Sequence, residues 1–517
     1  MVSSFSKKVN KKVKKVRVLL IGIDGATWSI LDNLISNGYL PNLCKLLRSG
    51  SYGNLESTIP TMSAAAWSSL YTGVNPGKHS VIDFIYHDGR VVSSKCIKTT
   101  KIWDILSKEG LKCCIINVPL TYPPDKVNGI FISGYPLSLD KDDFYYPKTI
   151  KLLSNIGALY NNFYKLIAKV GDYQNIYFKF NRWRFLEYIY KACFLEYKLA
   201  LNAVKFGQWD FFMVVFRSTD DLQHFFWDYP NILRDFYIKL DQYIGSIIEE
   251  FLLSNKCGEN YIIIVSDHGF GPFPKNEINL FAILNYYKIV KRRSMQTLMT
   301  IGYSFTRTVY SLLPNFLLTF FSKIYAKFSK KAENTSDNLR PLKFGIYVKD
   351  ISLRKKILKI LDKITLSNKE KLFIKVFPKN EVYKGPFNWL MPDIVFLPNP
   401  KYTVTYNPWV VQIIKKSYSY LTGSHHSHPE GIVLITGPNI KRSYRLGKNA
   451  KIYDIMPTIL YLFGIPIPEY VDGNVIYEVF DENFLKSNPV KYSKEPYLDI
   501  RSHVKSVKQI WKRKLKF

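Results

Sequence analysis

No stretch of about 20 uncharged apolar residues occurs in the chain, so a membrane-spanning helix is not expected. The nearest approach, Met295–Phe321, is broken by Arg307 and Pro314. It reads as one or two amphipathic helices that cover a core or lie on a membrane surface. A secretory leader is not expected either. The basic start is followed only by the short run Val18–Ile23 before Asp24, with no small-residue cleavage site. Cysteine is sparse: Cys44, Cys96, Cys113, Cys114, Cys193 and Cys257 contain no CxxC pair. That argues against a structural zinc site of that kind and for reduced core residues in a cytoplasmic protein. Acidic residues are outnumbered, 41 against 73 Lys and Arg, and the net charge of +32 attracts anions: phosphate compounds, nucleic acid or acidic lipid. Nothing but charge favours a nucleic-acid or membrane partner.

What is present is enough to bury a core. Hydrophobic residues make up 47% of the 517, which excludes a disordered class. At about 150 residues per domain the length suits roughly three domains, or one large α/β core with insertions. Part of the charge sits in basic tails at 1–15 and 481–517, read as solvated ends, with weak peripheral contact to an acidic membrane as the sharper reading. Between them, Val16–Ile23, Cys113–Val118, Phe211–Phe216, Tyr261–Val265 and Gly431–Thr436 are short β-branched or aromatic runs, most of them followed by Gly, Pro, Ser or Asp. Helical spacing alternates with them, as over Ile30–Leu47. This pattern predicts an α/β fold, a mostly parallel sheet with helices on both faces and ligands at the carboxyl ends of the strands. Two stretches break the rhythm and read as insertions capping the site. One, at about 125–200, is Tyr-rich and helical. The other, at about 271–420, holds the amphipathic stretch, a polar linker Ser329–Asn338 and a Lys-rich helix near Leu353–Asn368.

Four groups at the predicted strand ends carry chemistry. Asp24 follows the first strand. Ser63 stands at the start of Ala64-Ala65-Ala66-Trp67, where it reads as an N-cap. There, free backbone N–H groups and the helix dipole favour a phosphate docked beside the hydroxyl. Asp220 and His224, four apart, share one face of a helix and can share a cation. Asp267-His268 directly follow a buried strand, and the turn at Gly269 lets both reach one ion. Finally, His425, His426 and His428 fall within four positions before the strand Gly431–Thr436; at the mouth of a buried strand one of them is a metal ligand. Taken singly, a capping serine, a half-buried histidine or a surface turn explains each group; their joint order points to a site.

In that order, the chain resembles the type I phosphodiesterase/nucleotide pyrophosphatase branch of the alkaline phosphatase superfamily. The resemblance rests on Gly22–Thr27, Pro60–Trp67, Thr72–His79, Thr219–Trp227, Ser266–Phe270, Gly431–Pro438 and Asp454–Thr458, and covers about 16–125, 205–285 and 420–475. It implies an alkaline-phosphatase-like three-layer α/β/α sandwich with helical cap insertions, spanning 16–480. It implies two metal sites, one held by Asp24, Asp267, His268 and the Ser63 oxygen, the other by Asp220, His224 and a late histidine. His425 is chosen because it follows Gly423-Ser424, with His426 and His428 as alternatives. Zinc fits the mixed His/Asp ligands, with manganese the other candidate. Ser63 takes the nucleophile's place, where the family more often has Thr.

A second departure affects substrate binding. The family's pyrophosphatases carry an Asn where this chain reads His79-Ser80-Val81-Ile82-Asp83-Phe84, and Phe84 cannot donate to a phosphoryl oxygen. The backbone N–H of Ala64 or a lysine such as Lys78 is left to do so, while His79 and Asp83 read as packing groups. The expected activity is metal-dependent hydrolysis of a small anionic phosphate ester. The alternatives are a phosphomonoesterase, sulfatase or phosphotransferase on the same scaffold, or a basic anion- or membrane-binding protein without catalysis. Ser63 lacks the Cys/Ser-x-Pro-Ser-Arg context that sulfatases need.

Overall fold

The computed structural model describes residues 15–86, 89–136, 145–147, 182–254, 258–290, 339–366, 368–408, 410–417 and 419–494. The amphipathic stretch Met295–Phe321, the linker Ser329–Asn338, Cys257 and most of both basic tails lie outside these residues. No helix among the described residues is long and apolar enough to cross a membrane.

A ten-stranded sheet forms the centre. Its middle runs Glu259–Val265, Val16–Ile23, Phe211–Phe216, Cys113–Val118 and Gly129–Ser133, all mutually parallel. Glu430–Thr436 lies antiparallel between Glu259–Val265 and Gly50–Glu56. The strands are apolar along both faces because both faces are covered. In the first strand Leu19, Ile21 and Ile23 point into one core, where the helices Arg182–Phe206 and Pro230–Leu253 pack. Val18 and Leu20 point into the other, under Ser63–Thr72, Ile102–Lys108 and Ile455–Leu462. Each such buried side chain stabilises the fold by about 1.5–3 kcal/mol relative to exposure, before the entropy cost of ordering it. Three layers follow: helices, sheet, helices.

Gly22 fixes how closely the Ser63 helix approaches. The Trp67 ring lies directly over it, and a Cβ there would collide with that ring and with the Val215 methyl, 2.9 Å away. The helical spacing over Ile30–Leu47 resolves into two helices, Trp28–Ser36 and Pro41–Ser49. Pro41 cannot continue a preceding helix but is well suited to begin one.

The stretch at 125–200 contributes the strand Gly129–Ser133 and the long helix Arg182–Phe206 to the sandwich itself. The stretch at 271–420 builds a separate antiparallel sheet in the order Leu339–Pro341, Gly345–Val348, Ile394–Pro398, Phe373–Pro378. The helix Ile351–Lys363, capped by the Asp350 carboxylate at Leu353 N (2.7 Å), buries Ile357 and Leu361 against it. In its described part this cap is therefore more strand than helix. It docks beside the Ser63 loop: the Tyr383 hydroxyl donates to the Ile59 carbonyl (2.8 Å), and Phe387 N donates to the Gly77 carbonyl (2.9 Å).

Candidate metal centre and nucleophile

The central strands deliver the functional side chains to one edge. Asp24 is the first residue after Val16–Ile23, and its backbone N–H is tied to Phe216 O (3.0 Å), the last residue of the neighbouring strand. Gly25 then turns with a positive φ of 73°, and a Cβ there would press on Phe270. Asp220 and His224 lie in the helix Ser218–Phe226, one turn apart, with His224 Nε2 3.5 Å from Asp220 Oδ2. Asp267 and His268 follow Glu259–Val265.

Ser63 is one position further into its helix than a cap. Met62 is the flanking residue and no side chain caps the helix, so the N-cap expectation is corrected. The Ser63 hydroxyl instead lies 3.1 Å from His268 Nε2. The first intrahelical bond is Ala66 N to Met62 O, so the amides of Ser63, Ala64 and Ala65 precede it and concentrate the positive end of the helix dipole there.

The three histidines share one arrangement. His224 Nδ1 faces the Gly423 carbonyl (3.1 Å), His268 Nδ1 the Gly269 carbonyl (3.0 Å), and His425 Nδ1 the Thr61 carbonyl (2.7 Å). A carbonyl only accepts, so in each ring Nδ1 carries the proton. In the neutral ring Nε2 is then left with a free lone pair, the state in which histidine binds metal. Burial, together with the neighbouring His268, His426 and His224, pushes the His425 pKa well below the usual imidazole range and keeps that ring neutral. His268 and His425 stack at 4.0 Å.

The carboxylates are held by one oxygen and left open at the other. Asp24 Oδ2 accepts from Trp67 Nε1 (3.1 Å) and Asp267 Oδ1 from Gly25 N (3.3 Å). Asp24 Oδ1, Asp267 Oδ2 and Asp220 Oδ1 are buried without a hydrogen-bond partner among the described residues. Burial, then the charges of Asp267 and Asp220, drives the Asp24 pKa far above the carboxylate range; burial raises Asp267 as well, against the pull of His268. Orphaned buried oxygens are costly unless a cation completes them. With three free imidazole nitrogens beside them they suit divalent ions with a taste for nitrogen and oxygen, zinc first.

Two groups of ligand atoms fall within 4.8 Å of one another: Asp220, His224 and His425, and Asp24, Asp220 and His268. Asp220 belongs to both, so the two positions adjoin. Asp267 joins the second through His268 Nε2, 3.3 Å from its Oδ2. Of the three late histidines, His425 is the one placed in the cluster. His426 packs on Phe344 (5.1 Å) from the cap, and the His428 ring lies against Gly271.

Other expectations sort cleanly. His79 is buried, its Nε2 3.0 Å from the Ser69 hydroxyl and its pKa pushed down to about 3 by burial, which fits a packing role. Lys78 does not serve the site: its ammonium is engaged by Asp472 Oδ1 (2.6 Å) and the Tyr470 carbonyl (2.6 Å). Two contributors carry no signal in the sequence. Trp67 stood inside a quoted segment, but its Nε1–H bond to Asp24 had no local signal. Glu196 lies on another helix and accepts from the backbone N–H of Arg217 (3.1 Å) and Ser218 (3.3 Å) and from the Ser218 hydroxyl (2.6 Å), anchoring the start of the Asp220 helix.

The model of the type I phosphodiesterase / nucleotide pyrophosphatase family matches residues 18–428. Comparison with curated proteins returns no match. Among solved structures, the chain is similar to the alkaline phosphatase PafA, with a TM-score of 0.55 and 16% identity over 90% of this chain and 99% of that one. It is also similar to phosphonoacetate hydrolase from Sinorhizobium meliloti (TM-score 0.53, 14% identity, 87% and 95% covered). A third is the human ectonucleotide pyrophosphatase / phosphodiesterase 5 (TM-score 0.51, 13% identity, 91% and 99% covered). At these identities the structures establish a shared alkaline-phosphatase-like fold. With the family model spanning most of the chain, this protein belongs to the type I phosphodiesterase / nucleotide pyrophosphatase family, metal-dependent hydrolases of phosphate esters.

Proposed function

We propose that the chain hydrolyses a small anionic phosphate ester through a phosphoserine at Ser63, with two divalent ions, zinc by preference. Asp24, Asp267, His268 and the Ser63 oxygen would hold one ion, and Asp220, His224 and His425 the other. The observation that carries this reading is the set of orphaned carboxylate oxygens and imidazole Nε2 atoms gathered in two adjoining groups, one of which meets the Ser63 hydroxyl through His268. The charges also balance: three carboxylates and a Ser63 alkoxide offset two dications. When bound, such ions supply Lewis acidity that favours the alkoxide and neutralises charge on the phosphoryl and leaving oxygens.

The chain's own residues do the rest. The amides at the start of the Ser63 helix face an incoming phosphoryl group with the positive end of their dipole. The Ser63 hydroxyl gives up its proton as its oxygen bonds to phosphorus, and the ester oxygen departs and takes up a proton as the alcohol; water then bonds to phosphorus, displaces the Ser63 oxygen and returns a proton to it, releasing the phosphate product. The His268, His224 and His425 rings are held in one tautomer by backbone carbonyls, so they need not reorganise. The cap contacts Ile59, four residues before Ser63, and His426, next to His425, which suits a role in choosing the ester group. A cytoplasmic setting, supported by the sparse, unpatterned cysteines, and loose contact of the basic termini with acidic lipid, supported by charge alone, complete the reading.

The test is turnover of bis(4-nitrophenyl) phosphate and 4-nitrophenyl phosphate by zinc-loaded protein. Chelation is expected to abolish it and zinc to restore it. Ser63→Ala is expected to lower kcat by a factor on the order of 10³ or more while the metal stays bound. Full turnover by Ser63→Ala would remove the nucleophile.

A further inference from the structure

We propose that Arg217 grips the non-bridging oxygens of the substrate phosphoryl group, a task that Phe84 cannot perform in this chain. The proposal rests on the phosphate-ester reading above. Arg217 is the first residue after the strand Phe211–Phe216 and flanks the start of the Asp220 helix. It therefore leaves the sheet at the same carboxyl edge as Asp24, on the neighbouring strand. Its guanidinium lies over the Tyr135 ring (4.6 Å), and Nη2 donates to Asp221 Oδ1 (3.1 Å).

Those contacts use one donor of five. Among the described residues, Nε and Nη1 have no hydrogen-bond partner, although the side chain is only 16% exposed. Neither atom is among the buried atoms left without a partner, so both reach solvent, and the planar fork can exchange water there for two oxygens of a phosphoryl group. Against the cost of burial, the charges of Asp221, Asp220 and Asp24 all act on the guanidinium, which places it within electrostatic reach of the proposed ion positions.

Phe84 supplies an independent strand of the case. Its ring packs edge-on against Tyr135 (5.4 Å). The layer Phe84, Tyr135, Arg217 is continuous, so the apolar residue at the family's asparagine position buttresses the ring that carries the guanidinium. The bland alternative is an ion pair that merely ties Arg217 to Asp221 within one helical turn. It accounts for Nη2 and leaves the other donors and the aromatic platform unexplained.

The experiment measures binding of inorganic phosphate to zinc-loaded protein by calorimetry, with zinc content checked for each variant. Arg217→Met is expected to weaken phosphate binding roughly tenfold to a hundredfold at unchanged zinc content, and Arg217→Lys to recover only part, because it restores the charge without the fork. Asp221→Asn removes the partner's charge, keeps an acceptor for Nη2 and leaves the guanidinium in place, and is expected to lose clearly less affinity than Arg217→Met. The proposal is overturned if Arg217→Met binds phosphate like the parent, or if Asp221→Asn loses as much as Arg217→Met. It also falls if the zinc-loaded parent does not bind phosphate. Should Arg217→Met not fold, parent-like affinity in Arg217→Lys overturns it instead. A parent that binds phosphate but cleaves no ester would sink the proposed reaction and leave this test intact.

Discussion

Trp67 shows how one residue joins fold to chemistry. Its ring seals the Ser63 helix against Gly22, while its Nε1–H holds one oxygen of Asp24 so that the other stays open. Partners of metal ligands typically control about 10- to 100-fold in metal affinity or activity. Trp67→Phe keeps most of the packing and drops the donor. It is expected to weaken zinc affinity by about tenfold, measured by competition with a chromophoric chelator, with little change in the Asp220 half of the site. Equal zinc affinity in Trp67→Phe would mean that Asp24 is oriented without the indole. The proposed ligands are legible in the sequence, because Asp24, Asp267 and His268 sit where buried strands end. Their partners were not: Trp67 to Asp24, Thr61 to His425 and Gly423 to His224 are bonds across tens to hundreds of positions, and no local pattern encodes them.

At the scale of elements, the Asp220 helix depends on a carboxylate from a different helix. Glu196 meets the backbone N–H groups of Arg217 and Ser218 at the positive end of the helix, and also accepts from Asn117 Nδ2 (3.1 Å). Burial raises its pKa from 4.5 to about 7, against the opposing pull of the Ser218 hydroxyl and the Arg217 amide. A folded-state pKa above the unfolded value means that the stability linked to this group is complete below about 4.5 and is lost as pH rises through about 7. Glu196→Gln, which stays neutral, should therefore show a flatter profile. In urea unfolding of zinc-loaded protein between about pH 5 and pH 8, the parent is expected to lose stability relative to the variant. Parallel profiles would place the proton elsewhere. The sequence marked the Asp220–His224 spacing but put residue 196 inside a helical insertion. The helix Arg182–Phe206 belongs to the sandwich, and its period shows which residues face inward without saying what they meet.

For the whole molecule, the alternation of apolar strands and helices was enough to give the parallel sheet and the edge where ligands gather. The runs at Cys113–Val118 and Phe211–Phe216 coincide with strands. What the pattern did not give is the second sheet of the cap, whose strands are short, such as Gly345–Val348, and separated by turns that carry no strong period. The large positive charge places anion attraction across the surface, while the proposed specificity rests on a few buried or half-buried groups: three carboxylates, three imidazoles, Ser63 and Arg217. The proposed chemistry requires that these groups hold two ions side by side. Anomalous diffraction at the zinc edge from zinc-loaded crystals decides it. Two adjacent peaks are expected, one among Asp24, Asp267, His268 and Ser63 and the other among Asp220, His224 and His425. No peak there, or a single peak bound by His426 or His428, would contradict it.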